Sequence, residues 1–252
     1  MQTIRYILAG LVLFLATLHT SAGTTDASRA ESLYAEGRYS EALQAYRKLS
    51  AQGQGAELYY NMANCYFRLD SIPQALLWYE RAYLLSPGDG DIRHNLQYAR
   101  TKTIDKIVPE EEIFFVRWYR STLNLMSVEG WTITGIIFFA LSLAAICMYF
   151  FLSQVNLRKL GFYGCIILLV MVLLSNLFAW QVQDRQLHRN RAIVFQPSVS
   201  CMSSPNQAGK ELYLLHEGTT VSIIDSSVRN WYQIRLSDGK QGWIPAVAVE
   251  VI

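Results

Sequence analysis

The 252-residue sequence predicts a multidomain membrane protein with an all-helical repeat region, a two-helix transmembrane hairpin and a small closed all-β barrel. Three observations carry that prediction: long stretches without charge, a helical pattern that returns after 33 residues, and a C-terminal change to short β-rich runs between turn signals. Charged residues make up 17% of the chain, against about 25% in typical soluble domains. The deficit is concentrated, since no Asp, Glu, Lys or Arg occurs in residues 6–25, 130–157 or 160–183. The formal charge of +2 averages unlike regions. Ten basic and thirteen acidic residues lie in 24–112, four and one in 113–181, and seven and six in 182–252. No region has the basic excess that binding to a phosphate backbone needs, so no nucleic-acid partner is expected.

Residues 1–22 place Arg5 before the apolar run Tyr6–Leu18 and the small residues Thr20-Ser-Ala22, the pattern of a signal peptide. The run is short for a full span, though an uncleaved anchor is the alternative. Residues 131–153 and 161–181 are read as transmembrane helices. At about 1.5 Å per residue each is long enough for a hydrocarbon core of about 30 Å. Trp131 and Trp180 sit at the outer ends, where aromatic side chains favour the interface. Residues 154–160, with Arg158 and Lys159, form the short cytoplasmic loop. A signal peptide would put both soluble domains on the periplasmic side of the inner membrane. Charge counting leaves orientation ambiguous, because Arg117, Arg120, Arg185, Arg189 and Arg191 flank the ends assigned outside. Residues 109–130 read as a juxtamembrane amphipathic segment. Phe114, Phe115, Trp118, Leu125 and Met126 share a stripe beside Arg117 and Arg120, which suits a helix lying among lipid headgroups. Continuation of the membrane helix fits the same residues.

Between residues 23 and 108 the sequence repeats itself. Glu31-Ser-Leu-Tyr-Ala-Glu-Gly37-Arg-Tyr39-Ser-Glu-Ala42 leads to Tyr46, and Tyr59-Tyr-Asn61-Met-Ala63-Asn-Cys-Tyr66 leads to Ala75, Tyr79, Ala82 and Pro87. Small residues let two helices approach, aromatics fill the space between successive pairs, and Pro87 stops the helix. Asp91–Arg100 supplies a last helix that caps the stack. Five helices make a marginal solenoid, so a partner or the membrane is expected to complete it. The pattern resembles the tetratricopeptide repeat, a helix–turn–helix of about 34 residues. That resemblance implies a concave groove holding Tyr60, Asn61, Asn64, Phe67 and Arg68, joined by His94, Asn95 and Tyr98. Asparagines there would clamp an extended peptide backbone, and Arg68 would meet a carboxylate. The lysines of a carboxylate clamp are missing, with Tyr60 and His94 in their places, so a C-terminal carboxylate is not the expected ligand. An ordinary solvated face accounts for the same residues.

Residues 182–252 change rhythm. Ala192–Phe195, Leu212–Leu215, Val221–Ile224, Trp231–Leu236 and Gln241–Ile244 are strand candidates, and Ser237-Asp-Gly239-Lys is a hairpin turn. The order Glu217-Gly-Thr, Trp231-Tyr-Gln-Ile, Asp238-Gly-Lys-Gln-Gly242-Trp243-Ile-Pro245 resembles a bacterial SH3-type domain. Such domains bind peptides, proteins or cell-wall material. Tyr213, Trp231 and Trp243 are the candidate aromatic contact surface, with core or barrel-closing roles open for the two tryptophans.

Catalytic chemistry is not expected. The four cysteines, Cys65, Cys147, Cys165 and Cys201, fall in four different places and form no CxxC. The four histidines share no metal-ligand spacing, so no metal and no cofactor is expected. GxSxG, P-loop and HExxH patterns do not occur. The order of modules, with Asp91-Ile-Arg-His-Asn-Leu-Gln-Tyr-Ala-Arg100 and Phe114-Phe…Arg117-Trp-Tyr-Arg-Ser121, resembles the BatE group of the Bacteroides aerotolerance (Bat) proteins. The resemblance implies von Willebrand A-type membrane proteins and a MoxR-type ATPase system as partners, in an envelope complex linked to oxygen tolerance. The leading expectation is a non-enzymatic membrane scaffold that binds other envelope proteins. A peptidoglycan-binding anchor is the alternative, and a redox or transport subunit using Cys147 and Cys165 the third.

Overall fold

The computed structural model describes residues 24–252. The expected signal peptide therefore lies outside the described residues. Five helices open the fold: α1 (Thr24–Ala35), α2 (Tyr39–Ser50), α3 (Ala56–Arg68), α4 (Ile72–Leu85) and α5 (Gly90–Arg100), each packed against the next. The 33-residue offset has a packing cause. Ala42 and Ala75 are both fully buried where backbones approach, and Tyr46 and Tyr79 are buried beside them. Asp89 starts α5 by accepting from the Asp91 and Ile92 amides, which would otherwise lack partners.

Three further helices follow: α6 (Phe114–Leu123), α7 (Val128–Phe151) and α8 (Val155–Leu187). α7 and α8 are long and apolar enough to cross a membrane, and in their most apolar windows only 11% and 17% of the residues are buried. They pack along each other through small residues, including Gly135, Ser142, Gly161, Cys165, Ser175 and Ala179. At Gly161 a β-carbon would lie 2.7 Å from the Ala145 carbonyl oxygen and 3.0 Å from the Tyr149 nitrogen. The loop expected at 154–160 is shorter, because residues 152–154 suffice to turn the chain and nothing in 155–160 breaks a helix. α8 also passes the expected end at 181, carried by solvated helix formers; Gln186 there donates to the Leu84 carbonyl at 2.8 Å. α6 is a separate helix rather than a continuation of α7, since the chain breaks over 124–127 and Ser127 caps α7. Leu123, fully buried, and the Trp131 ring join α6 to the hairpin, and the Trp131 indole N–H donates to the Leu123 carbonyl at 3.2 Å.

Seven antiparallel strands complete the chain: β1 (Arg191–Val194), β2 (Ser198–Met202), β3 (Glu211–His216), β4 (Thr220–Asp225), β5 (Trp231–Arg235), β6 (Gln241–Pro245) and β7 (Val249–Val251). Their order is β3-β2-β6-β5-β4-β1-β7. No pairing joins β3 to β7 among the described residues, so the strand ladder is not closed as expected. On the inner face Val194, Cys201, Val221, Ile234 and Ile244 are buried together, with Ile107 from the segment beyond α5 packed against them. The Asp238-Gly239 turn forms with Gly239 at φ +82°, its amide donating to Leu236.

The helical stack and the sheet share a core. Ile193 and Ile252 are buried with the helical residues, and Phe195 packs against them. The face expected to need a partner or the membrane is thus covered in part by the chain's own β module. An ion cluster locks this contact. Glu80, fully buried on α4, accepts from both Arg191 guanidinium nitrogens at 3.0 and 3.1 Å and from Arg100 on α5. Asp105, beyond α5, accepts from the His216 amide at 2.8 Å, the His216 ring at 2.8 Å and the Thr219 hydroxyl at 2.6 Å.

Candidate binding surfaces

The first surface is a cavity of about 290 Å³ on the helical stack, lined by Tyr34, Asn64, Phe67, Arg68, Tyr79, Asn95 and Tyr98. α3 supplies Asn64, Phe67 and Arg68, which share one helical face at spacings of three and four. α5 supplies Asn95 and Tyr98 by the same rule. The cavity floor is a hydrogen-bonded cluster. Asn95 donates to the Tyr60 hydroxyl at 2.8 Å and to the Asn64 carbonyl at 3.3 Å, and the Tyr79 hydroxyl also donates to Asn64. Burial pushes the Tyr60 and Tyr79 hydroxyls up from their ordinary pKa, so both stay protonated, Tyr60 accepting from Asn95 and Tyr79 donating to Asn64.

Of the residues singled out from the sequence, Asn64, Arg68, Asn95 and Tyr98 come together here, and Tyr60 reaches the cluster from the side. Asn61 and His94 do not line the cavity. The asparagine amides hold one another and the tyrosines, so they shape the cavity. Arg68 is the group best placed for a ligand: it is exposed, 3.5 Å from the Tyr34 hydroxyl and 5.9 Å from the Tyr39 ring centroid. Tyr34 and Tyr79 were missed as lining residues. Tyr34 precedes Phe67 by the same 33 residues that relate Ala42 to Ala75, so the repeat offset already pointed to it.

The second surface is the outer face of the sheet. Register places Trp231 opposite Pro245, Gln233 opposite Trp243 and Arg235 opposite Gln241, with Met202 beside Trp243. These positions alternate with the inward Tyr232, Ile234, Gly242 and Ile244, so they share the solvent side. Both tryptophans are half-buried and stand outside the core on the sheet's inner face. Tyr213 does not join them. It is the cross-strand neighbour of Cys201 and packs against the inner core. It shares the inward side of β3 with buried Leu215, while Leu212 and Leu214 on the other side are exposed. The four cysteines stay apart as free thiols; burial raises Cys201 and pushes Cys65 up to about 12.

An antiparallel sheet presenting two tryptophans from neighbouring strands on its outer face has the form of a small binding module. The bacterial SH3 domain family model matches residues 202–250, from the last residue of β2 into β7. That match points to protein or peptidoglycan binding by this part of the chain. No curated protein matches the sequence.

Proposed function

We propose that the chain is a non-enzymatic scaffold of the inner membrane, with α7 and α8 spanning the bilayer and the helical stack and SH3-like module binding other envelope proteins on the periplasmic side. The observation that carries this reading is the shared core between the two soluble parts, clamped by Glu80, Arg100 and Arg191. Two binding surfaces on one body, above one hairpin, hold two ligands at a set spacing and raise the effective concentration of each for the other. The exposed apolar surface of α7 and α8 supports a lipid environment, since a soluble hairpin would have to bury it. We read the helical stack as tetratricopeptide repeats on the strength of the 33-residue offset and the buried alanines and tyrosines that obey it. The Bat proteins and their MoxR-type ATPase system are the partners we would seek first.

A second reading has its own support. The bacterial SH3 match and the Trp231–Trp243 face suit a glycan or peptide of the cell wall, which would make the chain a peptidoglycan anchor. Photo-crosslinking amino acids placed at positions 68 and 243 in intact cells separate the two. Proteins captured at both positions support the scaffold. Muropeptides at 243 with nothing at 68 support the anchor and overturn the scaffold.

A further inference from the structure

The far end of the hairpin carries two cations without a counter-charge. α8 opens with no acidic residue in its first turn, then places Arg158 and Lys159 near its N-terminus. That end of a helix carries a partial positive charge, where carboxylates are stabilised and cations are not. No Asp or Glu occurs between residues 130 and 183 to offset them. Among the described residues neither side chain forms an ion pair or a hydrogen bond, and the Arg158 guanidinium lies over the Tyr149 ring, 5.3 Å from its centroid. Tyr149 in turn meets Phe162 at 5.8 Å. Together with Val155, Lys159 and Tyr163 they line an open cavity of about 280 Å³.

Each feature points to an anion with an apolar body. The contact with the ring positions the guanidinium while its N–H groups take no partner among the described residues, which leaves them for a phosphate oxygen pair. Lys159 adds three more donors. The walls supplied by Val155 and Phe162 offer nothing to a free inorganic phosphate but suit a glycerol backbone and the start of an acyl chain. The counter-charge that the sequence omits over 130–183 is one that the surrounding bilayer holds in quantity.

We propose that this cavity binds the phosphate of an anionic phospholipid, with Arg158 and Lys159 on the phosphate and Tyr149 fixing the guanidinium. The proposal rests on the membrane-spanning reading of α7 and α8. The full chain is reconstituted in bilayer discs of equal parts phosphatidylcholine and phosphatidylglycerol, and the lipid retained after detergent extraction is counted by mass spectrometry. Phosphatidylglycerol is expected in excess over phosphatidylcholine. Arg158→Gln with Lys159→Gln should reduce that excess about thirtyfold, in keeping with about 1 kcal/mol for each of two basic residues near an anionic surface. Tyr149→Leu, which keeps both charges, should reduce it several-fold, and millimolar inorganic phosphate should leave it unchanged. Equal enrichment in the double variant, or displacement by inorganic phosphate, would overturn the site. Resistance of each variant to alkaline extraction from phosphatidylcholine vesicles reports insertion separately. A chain that inserts without lipid preference loses only this proposal, whereas one that fails to insert loses the membrane-spanning reading as well.

Discussion

Glu80 shows how a single carboxylate can join two domains. Burial pushes its pKa up, but Arg191 and Arg100 outweigh that, and the group is held below the usual carboxylate range. Its stabilisation is therefore complete above the unfolded value of about 4.3 and is lost as pH falls through the lower folded value. Asp105 has the same sign: burial raises it, the Thr219 hydroxyl and His216 bonds lower it more, and the net shift is downward. Thermal unfolding followed by tryptophan fluorescence should thus show a stable plateau near neutrality and a fall below about pH 4. Glu80→Gln should reduce stability by about 2–3 kcal/mol at pH 7, under the 3–5 seen for fully buried pairs. The smaller figure follows because Arg100 and Arg191 side chains are 44% and 37% exposed. Combined with Arg191→Gln the loss should be less than additive in a double-mutant cycle. Gly242 makes a second test at this scale. A β-carbon there would fall 2.3 Å from the Cys201 sulfur and 3.1 Å from the Met202 carbonyl oxygen. Gly242→Ala should cost about 1–3 kcal/mol by overpacking, with part of the loss recovered by Cys201→Ala.

At the scale of elements, α6 and α3 make opposite uses of an exposed face. α6 is fixed from beneath by Leu123, by the Trp131 indole and by Tyr119, which donates to Gln181. Its other side leaves Phe114, Phe115 and Trp118 exposed, each by 62% or more. A helix so held beside the hairpin is suited to the headgroup layer. Trp131→Phe keeps an aromatic ring but deletes the donor and part of the buried indole, at about 1 kcal/mol for the bond and more for the lost volume. Faster amide hydrogen exchange confined to α6 is the expected result, and unchanged exchange would show that the indole bond does not hold it. α3 instead exposes Arg68 above a braced cavity. Arg68→Ala should weaken partner capture in crosslinking while leaving the melting temperature within about a degree, as surface changes outside a core normally do. Asn95→Ala should act differently, because it breaks bonds to Tyr60 and Asn64 and so lowers stability as well as capture.

For the whole molecule the consequence is geometric. α7 leaves from beside the helical stack, and α8 returns to Leu84 and then enters β1. If the hairpin spans the bilayer, both soluble parts must lie on one side. Reporter fusions active only outside the cytoplasm should therefore agree after residues 110 and 252 and be silent after 157. Activity at 157 would reverse the orientation. The arginines that made charge counting ambiguous are partly explained by their contacts. Arg120 pairs with Glu112, Arg185 donates to Asn124, and Arg191 is committed to Glu80. Charges engaged by folded protein near the membrane are poor guides to orientation.

The sequence by itself determined the elements whose signals are local and periodic. Two charge-free runs marked α7 and α8, and a 33-residue offset marked the helical stack. The Asp238-Gly239 turn and its flanking alternation marked β5 and β6. β2 and β7 escaped notice because Ser198-Val-Ser-Cys-Met and the brief Val249-Glu-Val carry weak strand signals, and their identity comes from pairing with β3 and β1. The groove was legible only by analogy with a repeat: Asn64, Arg68, Asn95 and Tyr98 converge, whereas Asn61 and His94 do not. Only the tertiary structure decided that Tyr213 turns inward, and that Glu80 meets an arginine 111 positions later. It alone decided that the β module shares the helical core. These are contacts between distant segments, and no local period encodes them: burial of a shared apolar face and satisfaction of one buried charge select them once the elements exist.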